Sequence, residues 1–178
     1  MKDIFMRRKS SRSVSSSRSL LRRALVLPAA VVVVVPALAT EAQASHQRTV
    51  NGSVSMRIMD YENFGPNTVC NRNFSLTPVT VTVGTSKRVA AWSKCGGEIR
   101  VEVHYKLTHE PNGVVRVTEG IVKFFEGDSE NTGDLDGASA FGNMVLFPGL
   151  SLSRNVHVQN WNEGQPDDKA DVRLTLRN

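Results

Sequence analysis

The chain has 178 residues, with 22 Lys and Arg, 17 Asp and Glu, and a formal net charge of +5. Eight of the basic groups but only two of the acidic groups lie within residues 1–44, which leaves 14 basic and 15 acidic groups over residues 45–178. This nearly neutral remainder lacks the excess of positive charge that nucleic-acid binding needs, so we expect no nucleic-acid partner.

Residues 1–44 have the features of an export signal. Basic residues at the start are followed by an apolar run over residues 24–39, which ends near the small-x-small triplet Ala42-Gln43-Ala44. A basic region, a short apolar region and such a triplet are together typical of a cleaved secretory leader. We therefore expect residues 1–44 to be removed and the mature protein to be secreted or held at the cell surface.

The apolar run is too short and too interrupted to predict a membrane anchor. It spans 16 residues and contains Pro28 and Pro36, whereas a spanning helix needs roughly 20 apolar residues. A leader of the general secretory (Sec) type is favoured, and the pair Arg22-Arg23 leaves the twin-arginine route open. The remaining residues, 45–178, match the size of one domain with its own core and contain no predicted transmembrane segment.

The remainder alternates apolar and polar residues with a period of two, which is the spacing of half-buried strands. Asn112-Gly113 predicts a two-residue hairpin turn, Pro78 predicts an edge strand or a bulge, and Gly120 predicts a bulge. The predicted strands are GSVSMRIMD, FSLTPVTVTVG, KRVAAWSKC, EIRVEVHYKLTH, a return strand that ends in GIVKFFE, SAFGNMVLF, SLSRNVHVQN and KADVRLTLRN. Eight short strands without helical spacing predict an all-β antiparallel sandwich, with a barrel as the alternative.

The two cysteines, Cys70 and Cys95, predict one disulfide, because an exported protein with two cysteines most simply pairs them. Two free thiols or a shared metal are the alternatives. If consecutive strands run antiparallel, both cysteines lie at the same end of the domain. The connections predicted at that end are residues 60–73, 95–98, 126–139 and 160–169.

Most of the acidic residues fall in these connections, which raises the hypothesis of a calcium site. Calcium prefers six to eight oxygen ligands, often carboxylates in Gly-containing loops, and crowded carboxylates repel unless a cation offsets their charge. Position twelve of the helical calcium-loop pattern would be Ser139, so that motif is rejected. The predicted ligands are Asp128, Glu130, Asp134 and Asp136, with Asp60, Asp167 and Asp168 as contributors. The alternative is a solvated connection between strands.

Carboxylates that converge from several loops at one end of a sandwich resemble the tip of C2-type calcium-dependent membrane modules. The resemblance is one of architecture and implies calcium binding at the loops. Tyr61 and Trp161 lie in the same connections and are candidates for ligand binding, since sugars pack on aromatic rings. Trp92, inside a strand, is expected in the core.

Catalysis has little support in the sequence. His104 and His109 are five residues apart on one strand, so they should lie on opposite faces, and His157 should point outward. No metalloprotease, hydrolase or phosphate-loop motif occurs. We therefore expect a secreted, non-enzymatic binding protein with a protein, glycan or lipid partner and with calcium as its one expected cofactor. The alternative is an exported protein-interaction module, such as a protease inhibitor or a cell-surface component, that uses residues 60–73; a carbohydrate-binding module or a hydrolase is less favoured.

Overall fold

The computed structural model describes residues 46–62, 64–162 and 168–178; the predicted leader lies outside them. Within these residues the chain forms nine strands and no helix. The strands are β1 (Gln47–Asp60), β2 (Thr68–Thr82), β3 (Ser86–Cys95), β4 (Ile99–His109), β5 (Val115–Phe125), β6 (Leu135–Ala140), β7 (Met144–Leu146), β8 (Ser151–Gln159) and β9 (Lys169–Arg177).

The strands form two antiparallel sheets, which confirms the predicted sandwich over the alternative of a closed barrel. Sheet A has the order β2-β1-β9-β8, and sheet B has the order β3-β4-β5-β6, with β7 also paired to β5. Apolar side chains that alternate along each strand form a single core between the sheets. In β4 the buried positions include Ile99, Val101 and Leu107, while the intervening residues are half-buried on the outer face. Each fully buried aliphatic side chain contributes roughly 1.5–3 kcal/mol.

The segment predicted as a single strand, SAFGNMVLF, is divided into β6 and β7. Both strands pair with β5, at Ile121↔Ala140 and at Val117↔Met144. The division lies opposite the bulge predicted at Gly120, where Glu119 has a positive φ of 54° and the β4–β5 register shifts. The ring of Phe141 packs against Gly120, and the Phe141 N–H donates to the Gly120 carbonyl over 3.0 Å. The bulge therefore accounts for the ninth strand.

The β4–β5 turn is wider than the two-residue turn that Asn112-Gly113 predicts. The Gly113 N–H donates to the Glu110 carbonyl over 3.0 Å, and only Gly113, at φ 80°, has a positive φ in this turn. Pro111 and Asn112 are therefore the central residues. Proline holds φ near −65°, which suits the first central position of an ordinary turn and excludes the mirror-image turn.

Two of the predicted connections are shorter than expected, because β2 begins at Thr68 and β6 begins at Leu135. Their ends, like those of the other connections predicted with them, meet at one end of the sandwich, as the antiparallel registers require. We call this end the loop end and define it by its described residues, 61–62, 64–67, 96–98, 126–134, 160–162 and 168.

Candidate functional site at the loop end

The predicted disulfide is present and closes one side of the sandwich at the loop end. Cys70 and Cys95 are bonded with their Cα atoms 5.7 Å apart. They join β2, an edge strand of sheet A, to β3, an edge strand of sheet B. The Arg72 Nε–H donates to the Lys94 carbonyl over 3.3 Å beside this bond. The disulfide and this hydrogen bond therefore restrain the backbone from which the neighbouring loops begin.

Two buried carboxylates, Asp60 and Asp168, lie at the base of the loop end. Asp60 is the last residue of β1 and Asp168 immediately precedes β9, and their exposed fractions are 5% and 4%. The Asp168 carboxylate accepts the Tyr61 N–H, and its backbone carbonyl accepts the Asn160 N–H over 2.9 Å. Asp168 therefore connects Tyr61, just after β1, to Asn160, just after β8.

The pKa of Asp60 is raised by its burial and, to a smaller extent, by the acidic groups around it. Burial raises the pKa of Asp60 from 3.8 to about 6, and the nearby charge of Asp168 adds to the shift. Glu62 and Glu98 raise it further. A carboxyl with this pKa still holds a proton in a pH range where ordinary carboxylates are already ionised. A nearby cation would favour its ionised form.

Asp136, one of the predicted calcium ligands, belongs to β6 rather than to a loop, and its oxygens accept hydrogen bonds. One carboxylate oxygen accepts the Glu126 N–H over 3.0 Å, and the other accepts the Asn162 side-chain amide over 3.1 Å. Its carbonyl accepts the Trp161 N–H over 2.9 Å. Asp136 thus connects the β5–β6 and β8–β9 connections.

Glu130 also has partners within the protein. Its carboxylate forms an ion pair with Lys94, and its carbonyl accepts the Arg100 guanidinium over 2.7 Å. Asp128 and Asp134 are exposed. Among the described residues, no three Asp, Glu, His or Cys side chains are grouped closely enough to hold a metal ion. Asp167 lies outside the described residues, and calcium ligation by the predicted set stays a prediction.

Aromatic side chains project from the loop end. Phe64 is 97% exposed and Trp161 is 60% exposed, while Tyr61 is half-buried. The loop that holds Phe64 is bridged by a hydrogen bond from the Glu62 N–H to the Asn67 side chain over 3.2 Å. The Trp161 backbone is held by Asp136 as described above. Both large apolar side chains are therefore presented to solvent from restrained backbones.

The prediction that Trp92 lies in the core is wrong. Trp92 is 55% exposed on the outer face of sheet B, where it pairs across strands with Glu102, and the Lys94 ammonium lies 5.3 Å from its ring centre. Cys95 points inward to its disulfide, and the side chains of β3 alternate, so Trp92 must point outward. Counting back from the cysteine would have revealed this in the sequence.

The histidines lie where the sequence places them. His109 is fully buried and His104 is on the outer face, 2.7 Å from the Glu102 carboxylate. His157 points outward, and its Nδ1 lies 2.8 Å from the Asp171 carboxylate. This hydrogen bond raises the pKa of His157 above its usual 6.5.

Neither a protein-family model nor a curated protein matches this chain. Within the part of the chain that the structure describes, no helix has the length and apolar character needed to cross a membrane. The function of the protein is therefore inferred from the chemistry and geometry of its surface.

Proposed function

We propose that the protein is an exported, non-enzymatic binding protein that contacts its partner with the loop end. The observation that carries this proposal is the shared position of Phe64 and Trp161, which are 97% and 60% exposed at one end of a disulfide-bonded domain. The predicted leader over residues 1–44 supports export. A disulfide is also the form of cysteine expected in an oxidising compartment.

Exposed aromatic side chains on restrained loops are suited to binding. When a partner covers large apolar groups that lie in water, the free energy of the system falls. Aromatic residues commonly carry most of an interface's affinity. A loop that is already ordered loses little conformational entropy on binding. Phe64 and Trp161 meet both conditions, because hydrogen bonds fix the backbone beside each of them.

Calcium is the favoured ligand at the same end. Burial is the main cause of the raised pKa of Asp60, about 6, and a divalent cation near Asp60 and Asp168 would offset the repulsion that adds to it. The exposed Asp128 and Asp134 are open to a cation from solvent. Calcium held between the protein and anionic headgroups, with Phe64 and Trp161 in the membrane interface, would make a lipid surface the partner.

A thermal melt of the oxidised protein, first in chelator and then across a calcium titration, tests the cation. A ligand that binds only the folded form adds about 2.7 kcal/mol at a hundredfold excess over Kd, which raises the midpoint by several degrees. We expect Asp60→Asn, and separately Asp128→Asn with Asp134→Asn, to reduce this rise. A midpoint that does not move at millimolar calcium rejects the calcium component.

Vesicles containing phosphatidylserine test the partner. We expect calcium-dependent sedimentation of the protein with them, lost when Phe64 and Trp161 are both replaced by Ala. Phe147→Ala with Leu150→Ala is the matched control, since these side chains are 53% and 56% exposed at the opposite end. Equal loss in both double variants would show that the loop end has no special role.

A protein partner is the second candidate, and Phe64 is the observation that favours it. A single protruding aromatic residue on a short loop, close to a disulfide, suits insertion into a pocket of another protein. Such contact is independent of calcium. In that case the vesicles do not bind and calcium has no effect, but the unmodified protein captures an extracellular protein. Phe64→Ala should abolish this capture.

A further inference from the structure

The outer face of sheet A carries a shallow polar trough that is separate from the loop end. A groove of about 530 Å³ lies over β1, β9 and β8. A second depression of about 430 Å³ lies over β2, β1 and β9 and shares Ser55 and Arg173 with the first. The two are therefore continuous across all four strands, a width of about 14 Å at the usual strand spacing. We call this feature the sheet A trough.

The strand register places two arginines side by side in the trough. Arg57 pairs with Asp171, and Ser55 pairs with Arg173, between β1 and β9. Arg57 and Arg173 are thus diagonal neighbours on one face, with backbones about 7–8 Å apart. Both side chains can reach a single charged group placed over the trough.

Neither guanidinium is committed to an ion pair. Among the described residues, Arg57 and Arg173 have no acidic partner within ion-pair distance. The nearest register partner, Asp171, is instead bonded to His157 on β8. The positive charges of Arg57 and Arg173 therefore face solvent. The acidic group beside them, Asp171, is hydrogen-bonded to His157.

Small hydroxyl and amide side chains surround the arginines. Asn73, Ser55, Arg173 and Asn155 form one row across the four strands of sheet A. The next row contains Ser53 and Thr175. Phe74 borders the second depression, but its side chain packs against the core, and the described strands of sheet A contain no other Phe, Tyr or Trp.

This combination of side chains defines the chemistry of the ligand. Arginine binds carboxylate and sulfate groups with paired hydrogen bonds, and hydroxyl and amide groups match the hydroxyls of sugars. A neutral sugar that relies on aromatic stacking, a nucleic acid that stacks its bases and a lipid that needs apolar anchors all lack their contacts here. A glycan that carries its own negative charge finds both kinds of contact.

We infer that the sheet A trough binds an acidic polysaccharide, with Arg57 and Arg173 on its carboxylate or sulfate groups and with Ser55, Asn73 and Asn155 on its hydroxyls. An extended polysaccharide would lie across the strands of sheet A. This inference does not depend on the loop end, because the two surfaces share no residue.

Titration of the oxidised protein with three polysaccharides at low ionic strength tests the inference. The probes are polygalacturonate, which carries carboxylates, heparin, which carries many sulfates, and neutral dextran. We expect polygalacturonate or heparin to bind and dextran not to bind, and the tighter of the two identifies the preferred acidic group. Binding of neither acidic polymer, or equal binding of dextran, would overturn the inference.

Paired variants separate a built site from general attraction to positive charge. Arg57→Gln with Arg173→Gln should weaken binding at least about tenfold, since each lost charge-assisted bond is worth a factor of this size. Lys87→Gln with Arg88→Gln removes the same charge from exposed positions on β3 and should change affinity less than about twofold. Equal losses in the two pairs would overturn the inference.

Two further probes distinguish the glycan from other polyanions. Single-stranded DNA and phosphatidylserine vesicles without calcium should bind more weakly than the preferred polysaccharide. Asn155→Ala should reduce polysaccharide binding and leave any residual DNA binding unchanged, because it removes a hydroxyl-binding group without altering charge. DNA or vesicles that bind more tightly than both acidic polysaccharides would overturn the inference.

Discussion

The carboxylate of Asp60 lies directly against Gly96, in the space that a Cβ at residue 96 would occupy. Gly96 is the first residue after the disulfide-bonded Cys95, and its φ of 68° is in the left-handed region. The contact therefore joins the end of β1 in sheet A to the β3–β4 turn of sheet B. It keeps Asp60 buried, and this burial is the largest cause of its raised pKa.

Gly96→Ala should destabilise the protein more than Gly97→Ala. Both glycines have a positive φ, 68° and 97°, but a Cβ at residue 97 would meet no atom within 4 Å. Backbone strain costs each variant roughly 1 kcal/mol, and overlap with Asp60 should cost Gly96→Ala about 2 kcal/mol more. Urea denaturation measures both. Asp60→Ala should restore part of the loss in Gly96→Ala, and equal effects at the two glycines would contradict the contact.

Asp60 should make the domain less stable as pH rises from about 4 to 6. Its pKa is raised from 3.8 to about 6 in the folded protein, so its contribution is fully present below pH 3.8 and is lost as pH rises through about 6. The difference corresponds to at most about 3 kcal/mol of unfolding free energy. Denaturant unfolding at several pH values measures it, and Asp60→Asn should remove this dependence.

Glu102→Gln is the control for that pH series, because the pKa of Glu102 is shifted in the opposite direction to that of Asp60. Burial alone would raise the pKa of Glu102, but hydrogen bonds with His104 and Arg100 outweigh burial and lower that pKa below its usual 4.5. Its stabilising contribution is present above pH 4.5 and is lost as pH falls through the lower folded-state value. A profile that Asp60→Asn leaves unchanged would show that Asp60 is not buried as described.

Removal of the disulfide should destabilise the domain by about 3.5 kcal/mol. Cys70 and Cys95 are 25 residues apart, and closing a loop of this length restricts the unfolded chain by roughly that amount. Cys70→Ala with Cys95→Ala, compared with the oxidised protein in urea, measures the loss. If the double variant retains the full unfolding free energy, the bond does not constrain the unfolded chain.

Export should remove residues 1–44. We expect protein recovered from the culture medium to begin at Ser45, which N-terminal sequencing or intact mass determines. Ala44→Asp should block processing, because the position before the cleaved bond requires a small side chain, and Ala44→Ser is the matched control. Protein that remains in the cells with Met1 in place would contradict the predicted leader.

The sequence by itself predicted an all-β antiparallel fold, the disulfide and the end of the domain where acidic residues collect, and only the structure decided between a sandwich and a closed barrel. These predictions follow from local rules: a period of two fixes which side chains are inward, and antiparallel succession fixes the end at which each connection falls. The same rule places Trp92 outside once Cys95 is known to point inward. The pattern of β4 carried the clearest signal, because its five alternating apolar residues are all buried: Ile99, Val101, Val103, Tyr105 and Leu107.

Only the tertiary structure decided which residues the acidic groups contact and which side chains lie together on a surface. Asp136 accepts hydrogen bonds from residues 126 and 162, and Asp60 is buried against residue 96; the contacts of 136 with 162 and of 60 with 96 join parts of the chain that are distant in sequence. Arg57 and Arg173 meet because β1 pairs with β9. Periodicity gives the face on which a side chain lies, but the strand that lies beside it depends on how the whole core is packed.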